Sequence, residues 1–415
     1  MPQQPDPAIL DSQPAASHAG VMQGFPPPAE QRVTLCNWDR PPYNRWAFQN
    51  MRSLVPTARV TRGLGPVAPL SANLQDLSDL SFKAVNERDL TLEAFFAESH
   101  SDAVLVLHDG KIVLERYFGP MTESSVHLSQ SVSKSLVGTL AGILIARGLV
   151  DPQAPVSEYV PELDRSGYCE ALVSHLLDMT SGVAFSEDYG GRDADVTRIE
   201  AAAGWRPQPP GRAGESIYDF VLTLTQDRPH GDSFSYRSVE TVVLAWVLER
   251  ASGLGLPDLF GQEIWSKLGA EQDASYTVDR AGAAAADGGF NASLRDYGRF
   301  AQMHLDEGAF NGQQIVPAAW VRASRRGEPA LFGAPYTVDL PGGAYAKQWW
   351  IAGQESGIYL ALGIFGQILY LDPANRIAAV LLSSWPTPLH AAFKQNSLRA
   401  FAALTARLTD RGTRD

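Results

Sequence analysis

The chain has 415 residues, 45% hydrophobic and 19% charged, with 34 Lys+Arg against 46 Asp+Glu for a formal net charge of −12. That is the make-up of a globular protein with a sizeable core, long enough for roughly two or three domains or one large fold with an insertion. The acidity repels phosphate backbones and anionic bilayers, so small molecules, rather than nucleic acid or membrane, are the expected partners. Two cysteines, Cys36 and Cys169, supply neither a disulfide framework nor a Cys-rich zinc site and fit a reducing compartment. No apolar run approaches the roughly 20 residues that span a bilayer. The first residues, MPQQPDPAILDSQPAASHAG, lack a basic n-region and an apolar h-region. Residues 1–30 therefore read as a Pro- and Gln-rich disordered leader, and the expected location is cytoplasmic.

In chain order, the first strong element is a hairpin: two apolar runs between Ala103 and Tyr117 flank the tight-turn pair Asp109-Gly110. Helical periodicity follows from Ser131 to Arg147, with Gly148 as the C-terminal stop. Residues 150 to about 280 read as helices and loops. Short helices are expected at Leu172–Met179 and Val239–Ala251, with an irregular Gly/Pro/Arg-rich stretch between them at Ala203–Gly214. Ser293 caps a helix running to Leu305. Strands return from Ile358 to Leu371 and from Arg376 to Ser383, joined by a turn at Asp372-Pro-Ala-Asn375. A helix from about His390 to Leu408 closes the chain, and no fixed-period repeat is present.

The helix beginning at Ser131 reads Ser131-Val-Ser-Lys134, which puts both functional groups on one face a turn apart. A serine hydroxyl needs a base to become a nucleophile, and a lysine desolvated in a cleft can serve. The helix N-terminus adds a positive dipole end and an N–H able to hold an oxyanion. Ser131 is the only serine three residues before a lysine in the chain. A second feature is Tyr236-Arg-Ser238, on a loop just before a helix, where a phenol can shuttle a proton to a leaving group. A third is the Gly363-Ile364 step within a C-terminal strand, where a backbone N–H could face a ligand. The His-Glu-x-x-His, P-loop, dinucleotide-binding and Gly-x-Ser-x-Gly motifs are absent, and the eight histidines are scattered, so neither metal nor cofactor is expected.

Together with Leu177-Asp-Met-Thr-Ser-Gly182, these motifs resemble the serine β-lactamase, penicillin-binding and class C-like esterase superfamily. Within it, several segments resemble the 6-aminohexanoate-dimer hydrolases, amidases acting on nylon oligomers. They include Pro41–Phe48, Val156–Leu163, Glu187-Asp-Tyr189, Ala203-Gly-Trp205, Gln348-Trp-Trp350, Gly366-Gln367 with Leu371-Asp-Pro373, and Ser383–Pro386. The resemblance runs from about residue 37 to the C-terminus. It implies Ser131 as acylated nucleophile, Lys134 as general base, Tyr236 as proton relay and Tyr189 as a tyrosine contacting the scissile N–H. Ile364 takes the oxyanion position, Trp350 sits on a loop that closes over substrate, and Glu200 falls where an aspartate receives the substrate ammonium. Three departures stand out. Lys-Thr-Gly is replaced by Ala361-Leu-Gly363, Ser238 stands for the usual asparagine of the tyrosine motif, and Phe365 stands for a histidine. The first two argue against β-lactamase or peptidase work.

The implied fold is α+β, an α/β sandwich of the serine β-lactamase-like type: an antiparallel sheet from residues 31–150 and 281–415, with a helical domain, 151–280, inserted. The expected activity is hydrolysis of small linear ω-amino amides such as 6-aminohexanoate dimer through an acyl-enzyme, with short-chain esters as a side activity. A carboxylesterase using the same residues is the alternative, and a binding protein on an inactive hydrolase fold is the third reading. The resemblance also implies a homodimer, for which the sequence displays no interface.

Overall fold

The structure, a computed structural model, describes residues 20–191 and 193–410. Its centre is a seven-stranded antiparallel sheet in the order Ala344–Ala346, Trp349–Ile351, Tyr359–Gly363, Gln367–Asp372, Ile377–Ser383, Ser101–His108 and Lys111–Tyr117. Asp109 and Gly110 both take left-handed φ, 50° and 73°, the requirement of the primed turn expected there. The run Ala103–Leu107 is apolar at every position because the sheet is covered on both faces. Ala103, Leu105 and Leu107 join the core with Tyr297 and Phe300 of the helix Leu294–Leu305. Val104 and Val106 face the other way, in a cluster with Phe95, Phe96, Phe401 and Leu404 from the helices Leu92–Glu98 and Ala391–Thr409. Ser293 caps its helix by accepting from the Asp296 N–H.

A smaller antiparallel sheet has the order Thr57–Val60, Ala274–Thr277, Phe290–Ser293, Val126–Leu128. Ala274–Thr277 lies inside the stretch read as helical from 151 to 280; it pairs with Thr57–Val60, a partner too distant in sequence for periodicity to reveal. The rest of that stretch is helical and loop-rich, and its longest helix, Ser238–Ser252, packs on Val132–Ala146. The latter is buried from Val132 to Leu144, so it is covered on all sides, its polar Ser133, Lys134, Ser135 and Thr139 included. A Cβ at Gly138 would lie 2.3 Å from the Lys347 carbonyl, so only glycine lets this helix press on the segment leading to Trp349–Ile351.

The disordered leader expected over residues 1–30 does not extend that far. Met22 N donates to the Gln31 carbonyl at 2.9 Å, and Val21 and Val33 are buried in the main core. Residues 1–19 lie outside those described. Further on, the buried Asp102 pairs with Arg45 (2.6 Å) and His127 (3.0 Å) and accepts from Ser384, tying the N-terminal segment and the strand before Ser131 to the large sheet. Among the described residues, no helix is long and apolar enough to cross a membrane.

Candidate active site

Val126–Leu128 delivers the chain to Ser129, whose N–H donates to the Phe290 carbonyl at 2.7 Å. Gln130 then takes a left-handed φ of 48°, costly for a residue with a side chain, and Ser131 follows as N-cap of the helix Val132–Ala146. This turn presents Ser131 at the positive end of a 15-residue helix. Lys134 is 1% exposed; its Nζ lies 2.9 Å from Ser131 Oγ and donates to the Asp287 carbonyl at 2.8 Å. Burial lowers the Lys134 pKa, while the carboxylates of Asp287 and Glu187 raise it. Tyr236 completes the group: it lines the same cavity as Ser131, and Lys134 Nζ lies 5.2 Å from its ring centroid. Burial, reinforced by Glu187, holds the Tyr236 phenol well above its ordinary pKa, so it is a neutral proton carrier.

A second group centres on Glu187. Its Oε1 accepts from the Tyr189 hydroxyl and from Ser238 Oγ, each at 2.6 Å, and its Oε2 accepts from the Ser238 N–H at 2.7 Å. Ser238 opens the helix Ser238–Ser252, so Glu187 also satisfies an N–H at a helix start. Because the Tyr189 proton points at Glu187, the oxygen's lone pairs are free to accept from a donor in the cleft. Neither Glu187 nor the Asp287 carbonyl stands out as a functional group by sequence spacing. The only hint for Glu187 is its place two residues before Tyr189; nothing marks Asp287.

Gly363-Ile364 is not an interior strand step: Tyr359–Gly363 ends there, and a three-residue turn with Phe365 at φ 60° and Gly366 at φ 90° leads into Gln367–Asp372. The turn brings Ile364 into the cleft with Ser131. A Cβ at Gly363 would lie 2.7 Å from the Ser129 carbonyl, so glycine is required for this backbone to pass the nucleophile turn. Phe365, 3% exposed, packs on Phe48 with ring centroids 5.2 Å apart and also lines the cavity that holds Glu200. Trp350 is likewise not on a loop. It lies in the strand Trp349–Ile351, paired with Tyr345 and Leu360, and stacks on Tyr236 at 5.1 Å and 26°. Its backbone is held by ladder hydrogen bonds on both sides, because it belongs to the large sheet.

Two cavities meet at this point. One, of about 450 Å³, is lined by Ser131, Glu187, Tyr189, Tyr236, Trp350 and Ile364 and continues over apolar residues to Lys394. The other, of about 330 Å³, contains Gln130, Tyr189, Glu200, Arg206, Asp39 and Ile364. Glu200, expected to meet a substrate ammonium, already pairs with Arg206 Nε at 2.5 Å, and Arg206 also holds Asp39 at 2.7 Å. Burial pushes the Glu200 carboxyl up to about 7 against the pull of Arg206. Arg40 lines the same wall and lies 3.9 Å from Asp39, so the cavity's two carboxylates face two guanidiniums.

The beta-lactamase family model matches residues 91–404. The chain is 38% identical over 366 residues to a 6-aminohexanoate-dimer hydrolase of Paenarthrobacter ureafaciens, covering 88% of this chain and 91% of that protein. A solved structure from Bacillus anthracis, provisionally named a 6-aminohexanoate-dimer hydrolase, superimposes with a TM-score of 0.85 at 28% identity, covering 92% of this chain and 99% of that one. EstCE1, a hydrolase with promiscuous acyltransferase activity, shares the fold at TM-score 0.59 and 16% identity, covering 73% of this chain and 93% of its own.

Proposed function

Because the chain belongs to the beta-lactamase family, alongside its 6-aminohexanoate-dimer hydrolases, we propose that this serine hydrolase cleaves small linear ω-amino amides through an acyl-enzyme on Ser131. The observation that carries the reading is the 2.9 Å contact between Ser131 Oγ and a buried Lys134 amine, with Tyr236 in the same cavity beside that amine. Lys134, in its neutral form, takes the Ser131 proton as Oγ attacks the carbonyl carbon. The N–H groups of Ser131 and Ile364 hold the oxyanion. As the C–N bond breaks, the proton passes through Tyr236 to the leaving nitrogen, which departs as an amine. Water then attacks the ester on Ser131, giving its proton back along the same path and releasing the acid.

Tyr189 and Glu187 bear on amides in particular. A secondary amide presents an N–H that Tyr189 oxygen, with its own proton committed to Glu187, is free to accept. An ester has no such hydrogen, so the carboxylesterase alternative leaves the pair idle. Glu200, on the wall of the second cavity beside Arg206, is the carboxyl offered to an ammonium on the acyl half.

The test compares wild type and Ser131→Ala on 6-aminohexanoate dimer and on a short-chain ester, with fluorophosphonate labelling read by mass. Loss of both activities and of the adduct in folded Ser131→Ala is expected; retained turnover refutes the reading. Ester turnover without any amide turnover selects the carboxylesterase.

A further inference from the structure

The larger cavity bears on the half of the substrate that leaves. This inference rests on the acyl-enzyme reading above. Ser131 and Tyr236 both line the 450 Å³ cavity, whereas the smaller one has neither on its walls. The leaving group must sit where Tyr236 can hand it a proton, so it occupies the larger cavity, and the acyl chain runs toward Glu200 and Asp39.

The walls of that leaving-group cavity are apolar and aromatic: Tyr336, Leu340, Trp350, Leu362, Ile368 and Leu389. Its charged groups are Glu187 near the nucleophile and the pair Lys394–Asp339 at the far end; burial favours the neutral form of His390. Glu187 is committed to Tyr189 and Ser238. Lys394, the one Lys or Arg on the described wall, is already neutralised by Asp339. A leaving group ending in a carboxylate, as the second half of 6-aminohexanoate dimer does, would therefore lie along apolar wall with no unpaired cation to receive it. Lys394 and Asp339 are 27% and 38% exposed, so a carboxylate beside them keeps some of its water, and lacking a partner there costs less than full burial would.

We propose that the leaving half of the preferred substrate is an uncharged apolar amine or alcohol, and that the Lys394–Asp339 pair disfavours leaving groups ending in a carboxylate. The substrate class is thus a cationic ω-aminoacyl group joined to a neutral alkyl or aryl amine or alcohol.

The experiment holds the acyl half and leaving-group basicity nearly constant and changes only the far end. kcat/KM is measured for the N-hexyl amide of 6-aminohexanoic acid and for 6-aminohexanoate dimer. The corresponding hexyl and 5-carboxypentyl esters are run in parallel, so that weak amide turnover does not end the test. The neutral member of each pair is expected to be favoured about tenfold or more, equivalent to about 1.4 kcal/mol. In Asp339→Asn, which frees Lys394, the ratio should move toward the carboxylate-ended member; circular dichroism checks that the variant is folded. A wild-type ratio of one or less, with Ser131 still labelled by fluorophosphonate, overturns the inference alone. An unchanged ratio in folded Asp339→Asn removes the ion pair as the discriminator. No turnover and no Ser131 adduct overturns the inference and the acyl-enzyme reading together.

Discussion

Replacing Glu187 by glutamine removes one charge at constant size, and its consequences can be worked from three hydrogen bonds. Oε1 accepts from Tyr189 and Ser238 Oγ, and Oε2 accepts from the Ser238 N–H. A glutamine cannot serve all three. With its oxygen at the Oε1 position, its NH2 confronts the Ser238 N–H; flipped, it donates to Tyr189 and turns the phenol proton into the cleft. Either outcome weakens an arrangement of charge-assisted bonds, each worth about 1.5–3 kcal/mol. If that loss falls on the amide transition state, amide kcat/KM drops roughly 10- to 100-fold. Esters, which present no N–H to Tyr189, should lose much less. The substitution also acts on Lys134, whose pKa Glu187 raises. Without that carboxylate the pKa falls further, so the neutral amine persists to lower pH and the acidic limb of the kcat/KM profile moves down. Full pH profiles on a matched amide and ester read both effects. An equal loss on amide and ester, or an acidic limb that stays or moves upward, refutes the reasoning.

Other substitutions test the surroundings. Gly138→Ala puts a Cβ 2.3 Å from the Lys347 carbonyl, so overpacking should cost about 1–3 kcal/mol and lower Tm, as read by thermal denaturation. Gly363→Ala meets the Ser129 carbonyl at 2.7 Å and should slow acylation of Ser131 by displacing Ile364, measured by the rate of fluorophosphonate labelling; an unchanged rate argues against Ile364 as oxyanion donor. Arg206→Met removes the partner that lowers the Glu200 pKa, leaving a proton or a substrate ammonium to neutralise that carboxyl. KM for a 6-aminohexanoyl ester should then fall as pH rises through the range above about 7, where the carboxyl freed of Arg206 ionises, while KM for the hexanoyl ester should not; parallel slopes would remove Glu200 from the acyl subsite.

The secondary structure that carries the nucleophile was legible in the sequence because its signals are local. Asp109-Gly110, the Ser131 helix with Gly148 beyond it, and the Ser293 cap each rest on neighbouring residues. The strand Ala274–Thr277 was not, because its partner Thr57–Val60 lies more than two hundred residues earlier. The same divide runs through the site. Ser131 and Lys134 share one helical turn, so spacing alone joins them. Glu187 meets Tyr189 locally but acquires its second role only from Ser238, across a fold contact. Glu200 shows the converse. Its sequence position suggests a free carboxylate, whereas Arg206, six residues on, curls back to hold it. Trp350 was misplaced for a related reason: its strand pairing is a tertiary fact.

The electrostatics around Ser131 separate the two proton-handling groups by environment rather than by residue type. A lysine and a tyrosine have ordinary pKa values close together, near 10, so in water neither is well suited to neutral pH. Burial is the leading influence on both, and it acts in opposite directions because the two groups charge with opposite sign. Lys134 is pushed toward its neutral amine, the form that can take the serine proton. Tyr236 is pushed further into its neutral phenol, the form that has a proton to give. Glu187 and Asp287 oppose the shift on Lys134 and reinforce the one on Tyr236, so neutralising a nearby carboxylate should unbalance the pair by favouring both deprotonations. A desolvated cleft thus supplies a base and an acid, and part of the chain's acidity tunes the site through the carboxylates of Asp287 and Glu187, which act on the lysine.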